Sequence, residues 1–189
     1  MRFQVGKCPW LTGATLLLTL CLAPGVPADT ALEVQMRDLH IETPRERLPA
    51  PGFELLTLDG ETVRLGAYRG RLVLLHFWAT FCEPCRKELP ALDRLAGKLG
   101  ADSPVILAVA VDRDRPRQVA KFVREHALKL TVPLDPDGKV RTSYEIDALP
   151  TTYLIGPDGR FVGRAVGERP WDSPQFRQLI SGLRSQMPD

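Results

Sequence analysis

From Pro51 onward the apolar positions switch repeatedly between two periods. "FELLTLDGETVRL" (53–65) sets two short apolar runs around Asp59-Gly60, a dipeptide suited to the positive φ angles of a tight turn, and predicts a β-hairpin. "RLVLLHFWA" (71–79) is almost continuously apolar, as expected of a strand buried on both faces. Beyond it Cys85, Leu89, Leu92, Ala96 and Leu99 recur at steps of three and four, the stripe of a helix that Pro90 should kink. "PVILAVAVD" (104–112) predicts a second buried strand. "RPRQVAKFVREHA" (115–127) predicts a helix with Val119, Phe122 and Val123 on one stripe, Pro116 near its first turn and His126 in its last. "LTVPLD" then leads through a "DPDG" turn to a short helix, "KVRTSYEI". "ALPTTYLIGPDGRFVGRAVG" (148–167) reads as two strands joined by a Pro-Asp-Gly turn. "SPQFRQLISGLRSQ" closes the pattern as a helix, with Phe176, Leu179, Ile180 and Leu183 at helical spacing. This order predicts an α/β fold: one domain over 51–187, a mixed central sheet with helices on both faces and an extra hairpin before it.

The first 50 residues do not share this pattern. Residues 1–28 carry Arg2 and Lys7 and no acid, then a largely apolar run from Trp10 to Ala23, then "PGVPA". That is the order of an export signal, with cleavage expected after Ala28 or retention as an N-terminal membrane anchor. Lipid attachment at Cys21 is disfavoured by the bulky Leu20 before it. Residues 29–50 are polar, lack a sustained period and end in prolines, so a flexible arm with a solvated His40 is expected.

Export alters two quantities. The 189-residue chain has 25 basic and 23 acidic residues. Without Arg2 and Lys7 the two signs balance, leaving no basic excess to attract nucleic acid or an anionic membrane surface. Of four cysteines, Cys8 and Cys21 fall in the signal, leaving Cys82 and Cys85. A bridge across two intervening residues closes almost no loop, so it is worth little as a structural staple.

The position of the pair favours redox chemistry. Cys82 follows a buried strand and opens a helix, where unpaired backbone N–H groups and the positive end of the helix dipole stabilise a thiolate. Pro84 is tolerated in the first turn, where its missing N–H costs nothing. Cys85, one turn along and more buried, is placed to resolve a mixed disulfide on Cys82.

"FWATFCEPCRKELP" resembles the active-site segment of thioredoxin-like proteins, and is most similar to exported TlpA/ResA-type thiol–disulfide oxidoreductases, which act in cytochrome c maturation and related periplasmic reduction. The likeness covers about residues 51–186 and includes "ALPTTYLIGPDGR". It implies a thioredoxin-like fold, and a cis peptide bond before Pro150, with Leu149, Pro150 and Thr151 presenting backbone to substrate beside the cysteines. It also implies that Glu88 moves protons near the buried cysteine, that no cofactor is needed beyond the Cys82–Cys85 disulfide, and that the protein is a monomer. The implied partners are protein disulfides and a membrane-bound thiol electron donor. Trp78, Phe81 and Pro84 are expected around the pair as an apolar rim, Trp78 serving equally as core.

His76 departs from the thioredoxin pattern, which has a buried aspartate there; it is either a proton relay to Cys85 or a core histidine with its hydrogen bonds satisfied. A negative Glu83 beside Cys82 disfavours the thiolate and argues for a reductase over a strong oxidant. Two other readings stand beside this one. CxxC also suits Cu(I), although metallochaperones of this fold use wider cysteine spacing and a distal histidine, and His126 ends a helix. A peroxiredoxin-like peroxidase resembles T-x-x-C, whereas this chain has Thr80-Phe81-Cys82.

Overall fold

The structure, a computed structural model, describes residues 30–99 and 103–185. The segment read as an export signal, residues 1–28, lies outside the described residues, as do the last two residues assigned to the domain. The centre is a four-stranded sheet in the order β4 (Val105–Ala110), β3 (Val73–Trp78), β5 (Thr151–Ile155), β6 (Phe161–Val166). β3 and β4 run parallel, and β5 and β6 follow antiparallel, so the sheet is mixed as expected. Every residue of β3 and β4 is buried, which is why both read as unbroken apolar runs.

Alternation along β3 assigns its two faces. His76 lies on the face covered by helix α2 (Glu83–Lys98) and, beyond it, by the segment leading to α5 (Pro174–Ser185). Phe77 lies on the other face, where Tyr144, the C-cap of the short helix α4 (Lys139–Ser143), approaches it with ring centroids 5.4 Å apart. Tyr153 and Phe53 pack on the same tyrosine. Helix α3 (Pro116–Glu125) brings Phe122 against Trp78 at the end of β3.

The hairpin forms as β1 (Glu54–Leu56) and β2 (Thr62–Arg64), with Gly60 at φ 81° in its turn. It docks through backbone bonds from Leu58 N to Val132 O and from Leu134 N to Leu56 O. The same 131–134 stretch bridges β4 at Leu107 and Ala110, covering the sheet's outer edge.

The expectation of a flexible arm over residues 29–50 needs correction. Thr30 and Glu33 form a reciprocal capping box that starts helix α1 (Ala31–Asp38). Met36 and Ile41 are buried, and the chain then bridges the β6 edge at Glu42–Arg164 and Pro49–Arg160. The fit is close: a Cβ on Gly163 of β6 would lie 2.5 Å from Met36 Cε and 2.6 Å from Ile41 Cγ2. Eight helical residues carry too few apolar positions for a recognisable period, and the burial is created by contacts with β6 and α5. His40 is exposed, as expected. Among the described residues no helix is long and apolar enough to cross a membrane.

Candidate active site

β3 ends at Trp78, and beyond the end of its parallel neighbour β4 the chain reaches Asp112. Buried Asp112 receives hydrogen bonds from the Thr80 backbone N–H, at 3.0 and 3.2 Å to its two oxygens, and from the Thr80 hydroxyl. This grip fixes the turn in which Cys82 N–H donates to Ala79 O at 3.1 Å, and so aims Cys82 at the head of α2. Cys82 is the N-cap: its backbone is extended, and its Sγ accepts from the Cys85 N–H at 3.3 Å. An N-cap sulfur faces the free amides of the first turn, the setting that stabilises a thiolate once the pair is reduced. The two cysteines are joined as a disulfide, Cys82 at the surface boundary with 9% exposure and Cys85 with none.

The flanking residues separate into two groups. Phe81 is 65% exposed and Pro84 half-buried, so these form an accessible apolar rim. Trp78 is wholly core: its indole N–H donates to Ala108 O and its ring packs against Phe122, so it supports the site from behind. The Leu149–Pro150 bond is cis. Thr151 pairs with Phe77, so one further step of that register sets Pro150 opposite Trp78, at the end of β3 from which the cysteine segment departs. Thr151 is buried, with its hydroxyl bound to Ala148 O, which leaves its side chain committed to the turn. Glu83 is paired with Lys87 at 2.8 Å, and this partner holds its carboxyl below the usual range. Glu83 thus stays ionised beside Cys82, with Lys87 as a solvent-exposed counter-charge.

Glu88 lies one turn after Cys85 on the buried side of α2 and is 2% exposed. Its Oε2 accepts from the Arg169 N–H at 2.8 Å and from the Trp171 indole N–H at 2.9 Å. Its Oε1 faces His76 Nε2 at 3.5 Å. Neither of these facing atoms has a hydrogen-bond partner among the described residues. On the far side of the imidazole, Nδ1 lies 2.9 Å from Thr152 Oγ1. By distance alone Glu88 and His76 could be an ion pair, but burial drives each toward its neutral form. Desolvation pushes Glu88 up to about 7, against the two N–H donors that pull it down, and pulls His76 down to about 3. The site thus holds an acid that titrates near neutrality beside an imidazole that stays uncharged.

Sequence reasoning missed Asp112, Thr152, Arg169 and Trp171. Asp112 had a visible signal, a carboxylate closing an apolar strand. The other three act through contacts across the fold, and Trp171 lies 83 residues from the carboxyl it binds. His126 has its Nδ1 3.0 Å from Phe122 O and its ring against Phe122. Among the described residues no group of three or more His, Cys, Asp and Glu side chains could hold a metal ion.

Comparison with known proteins agrees with this geometry. Residues 47–163 match the AhpC/TSA family. The thiol-disulfide oxidoreductase ResA of Bacillus cereus (strain ZK / E33L) is 35% identical over 154 residues, covering 82% of this chain and 86% of that protein. ResA of Bacillus subtilis (strain 168) is 34% identical over 126 residues, covering 67% and 70%. Among solved structures, a putative thiol:disulfide interchange protein DsbE from Chlorobium tepidum superposes with a TM-score of 0.67 at 31% identity, covering 74% of this chain and 97% of that one. A disulfide-linked pair of unequal exposure at a helix start, on this sheet and with these relatives, makes the chain a thiol–disulfide oxidoreductase with a thioredoxin-like fold, belonging to the AhpC/TSA family and to its ResA-type branch.

Proposed function

We propose that the protein is an exported reductase of protein disulfides. The observation that carries this reading is the Cys82–Cys85 disulfide at the head of α2, with the buried Glu88 carboxyl one turn behind Cys85. In the reduced protein the Cys82 thiolate attacks a substrate disulfide, forming a mixed disulfide and releasing one substrate thiolate, which takes a proton from solvent. Ionised Glu88 accepts the Cys85 proton, directly or through one water. The Cys85 thiolate then attacks Cys82 Sγ, the second substrate thiolate leaves and is protonated, and the Cys82–Cys85 disulfide is restored. Two electrons have passed from the dithiol to the substrate. A carboxyl titrating near the working pH is suited to accept and return that proton in alternate half-cycles.

Phe81 and Pro84 supply the apolar contact for the substrate, and the backbone of Leu149–Pro150–Thr151 supplies the strand-like one. The disulfide is the only redox group required. A membrane-bound thiol protein returns it to the dithiol, and the chain works as a monomer. Export follows from the order of residues 1–28, with the segment removed or kept as a tether, and cytochrome c maturation is the setting the family resemblance suggests. A peroxidase reading gains nothing from Thr80, whose hydroxyl is committed to Asp112.

Equilibration of the purified protein against glutathione tests the direction. A reductase should settle well below the roughly −120 mV of a strong thiol oxidant, and should reduce insulin with dithiothreitol as the donor. A potential near that oxidising value would overturn the proposal.

A further inference from the structure

Three side chains line up beneath the cysteines. Thr152 and His76 are register partners on β5 and β3, and Glu88 approaches the opposite edge of the ring from α2. All three are buried, with 1%, 0% and 2% exposure. A hydroxyl can donate or accept, a carboxyl donates when protonated and accepts when ionised, and a neutral imidazole carries its proton on either nitrogen. Two arrangements are therefore open to these side chains once Oε1 and Nε2, 3.5 Å apart and without a hydrogen bond between them here, draw together. In the first, protonated Glu88 donates from Oε1 to His76 Nε2, and Nδ1–H donates to Thr152 Oγ1. In the second, ionised Glu88 accepts from Nε2–H, and Nδ1 accepts from the threonine hydroxyl. They differ by one proton in total, and the imidazole is uncharged in both.

We propose that Thr152, His76 and Glu88 take up and release this proton through a tautomer exchange of His76, which makes His76 the positioning residue for the acid that serves Cys85. The proposal rests on the reductase reading for its purpose and on the geometry alone for its form. Oε2 is unavailable as the donor, because the Arg169 N–H and the Trp171 indole N–H both point at it. The proton of a neutral Glu88 must therefore sit on Oε1, and His76 Nε2 is the acceptor in front of it. A third arrangement, imidazolium against carboxylate, would place two charges where neither side chain meets solvent. The other charged groups facing this acid are Glu168 and Arg169, on the segment after β6. Arg169 turns its guanidinium away, to the carbonyls of Leu39, His40 and Glu168.

The two surface-side histidines can be replaced, His40→Asn (which tolerates the positive φ there) and His126→Gln, leaving one imidazole in the full chain. Nitrogen-15 NMR of that ring in the oxidised protein, from pH 5 to 9, reads the tautomer directly. The expected result is Nδ1–H at the acid end and Nε2–H at the alkaline end, with a midpoint at about 7, and at no pH both nitrogens protonated. In Glu88→Gln the same two donors orient the amide so that its NH2 faces His76, and the Nδ1–H form should persist at every pH. A ring that becomes imidazolium in this range overturns the proposal, as does one whose tautomer is unchanged from pH 5 to 9, or one that still switches in Glu88→Gln. Insulin reduction measured on the same samples separates the two readings: activity with a static ring removes only this inference, and a switching ring without activity removes only the reductase.

Discussion

The indole N–H of Trp171 donates to Glu88 Oε2 at 2.9 Å, tying the loop before α5 to the acid behind the active cysteines. This bond favours the ionised carboxyl, because it is stronger when its acceptor carries charge. Trp171→Phe keeps most of the apolar bulk and removes the donor. The pH at which insulin reduction rises should then move upward, and stability should fall by about 1–3 kcal/mol in urea titration. An unchanged pH profile would separate Glu88 from the rate.

The Asp112–Thr80 contact predicts a loop defect distinct from a chemical one. Asp112→Ala leaves the Thr80 N–H and hydroxyl without their acceptor, at a cost of about 1–3 kcal/mol, and loosens the turn that aims Cys82. Insulin reduction should fall by about tenfold, roughly the effect of a small misplacement of reacting groups, while the pH midpoint stays put. A shifted midpoint with normal stability would instead make Asp112 part of the proton path.

His76 and Glu88 leave opposite signatures in the pH dependence of stability. A histidine lowered from 6.5 to about 3 contributes stability that is present above pH 6.5 and is lost as pH falls toward 3. A carboxyl raised from 4.5 to about 7 contributes stability that is present below pH 4.5 and is lost as pH rises through 7. Between pH 4.5 and 6.5 the two slopes offset each other. In His76→Asn only the carboxyl slope remains, so stability should decline with rising pH across that window, by up to about 1.4 kcal/mol per pH unit relative to the unsubstituted protein. Glu88→Gln should show the reverse, a gain with rising pH up to about 6.5. Urea titrations at half-unit steps measure both, and parallel curves for all three proteins would contradict the assignment.

The packed N-terminal helix makes its own prediction. Met36→Ala removes a side chain that is 2% exposed and should cost about 2–4 kcal/mol. A loose arm would show less than about 0.5 kcal/mol. Calorimetry or urea unfolding distinguishes the two.

These contacts mark what the sequence could and could not disclose. β3 and β4 were legible because burial on both faces leaves an uninterrupted apolar run, and α2 because Cys85, Leu89, Leu92 and Ala96 repeat at helical spacing. The hairpin and the β5–β6 turn were legible through Asp59-Gly60 and Pro-Asp-Gly. Helix α1 was not, since its burial depends on Gly163 of β6 making room for Met36 and Ile41. In the site, the cysteines and Glu88 lie within one short motif. The groups that set the behaviour of Glu88 come from three other segments and meet only in the folded chain.

The division of labour between the cysteines is tested most directly by Cys85→Ala. With no resolving thiol, a substrate disulfide attacked by Cys82 should remain as a stable mixed disulfide, and mass spectrometry should find the adduct on Cys82 and name the substrate. Cys82→Ala should trap little, because Cys85 is fully buried. Trapping by Cys85 in the Cys82→Ala protein, with none by Cys82 in the Cys85→Ala protein, would contradict the assignment of Cys82 as the attacking sulfur.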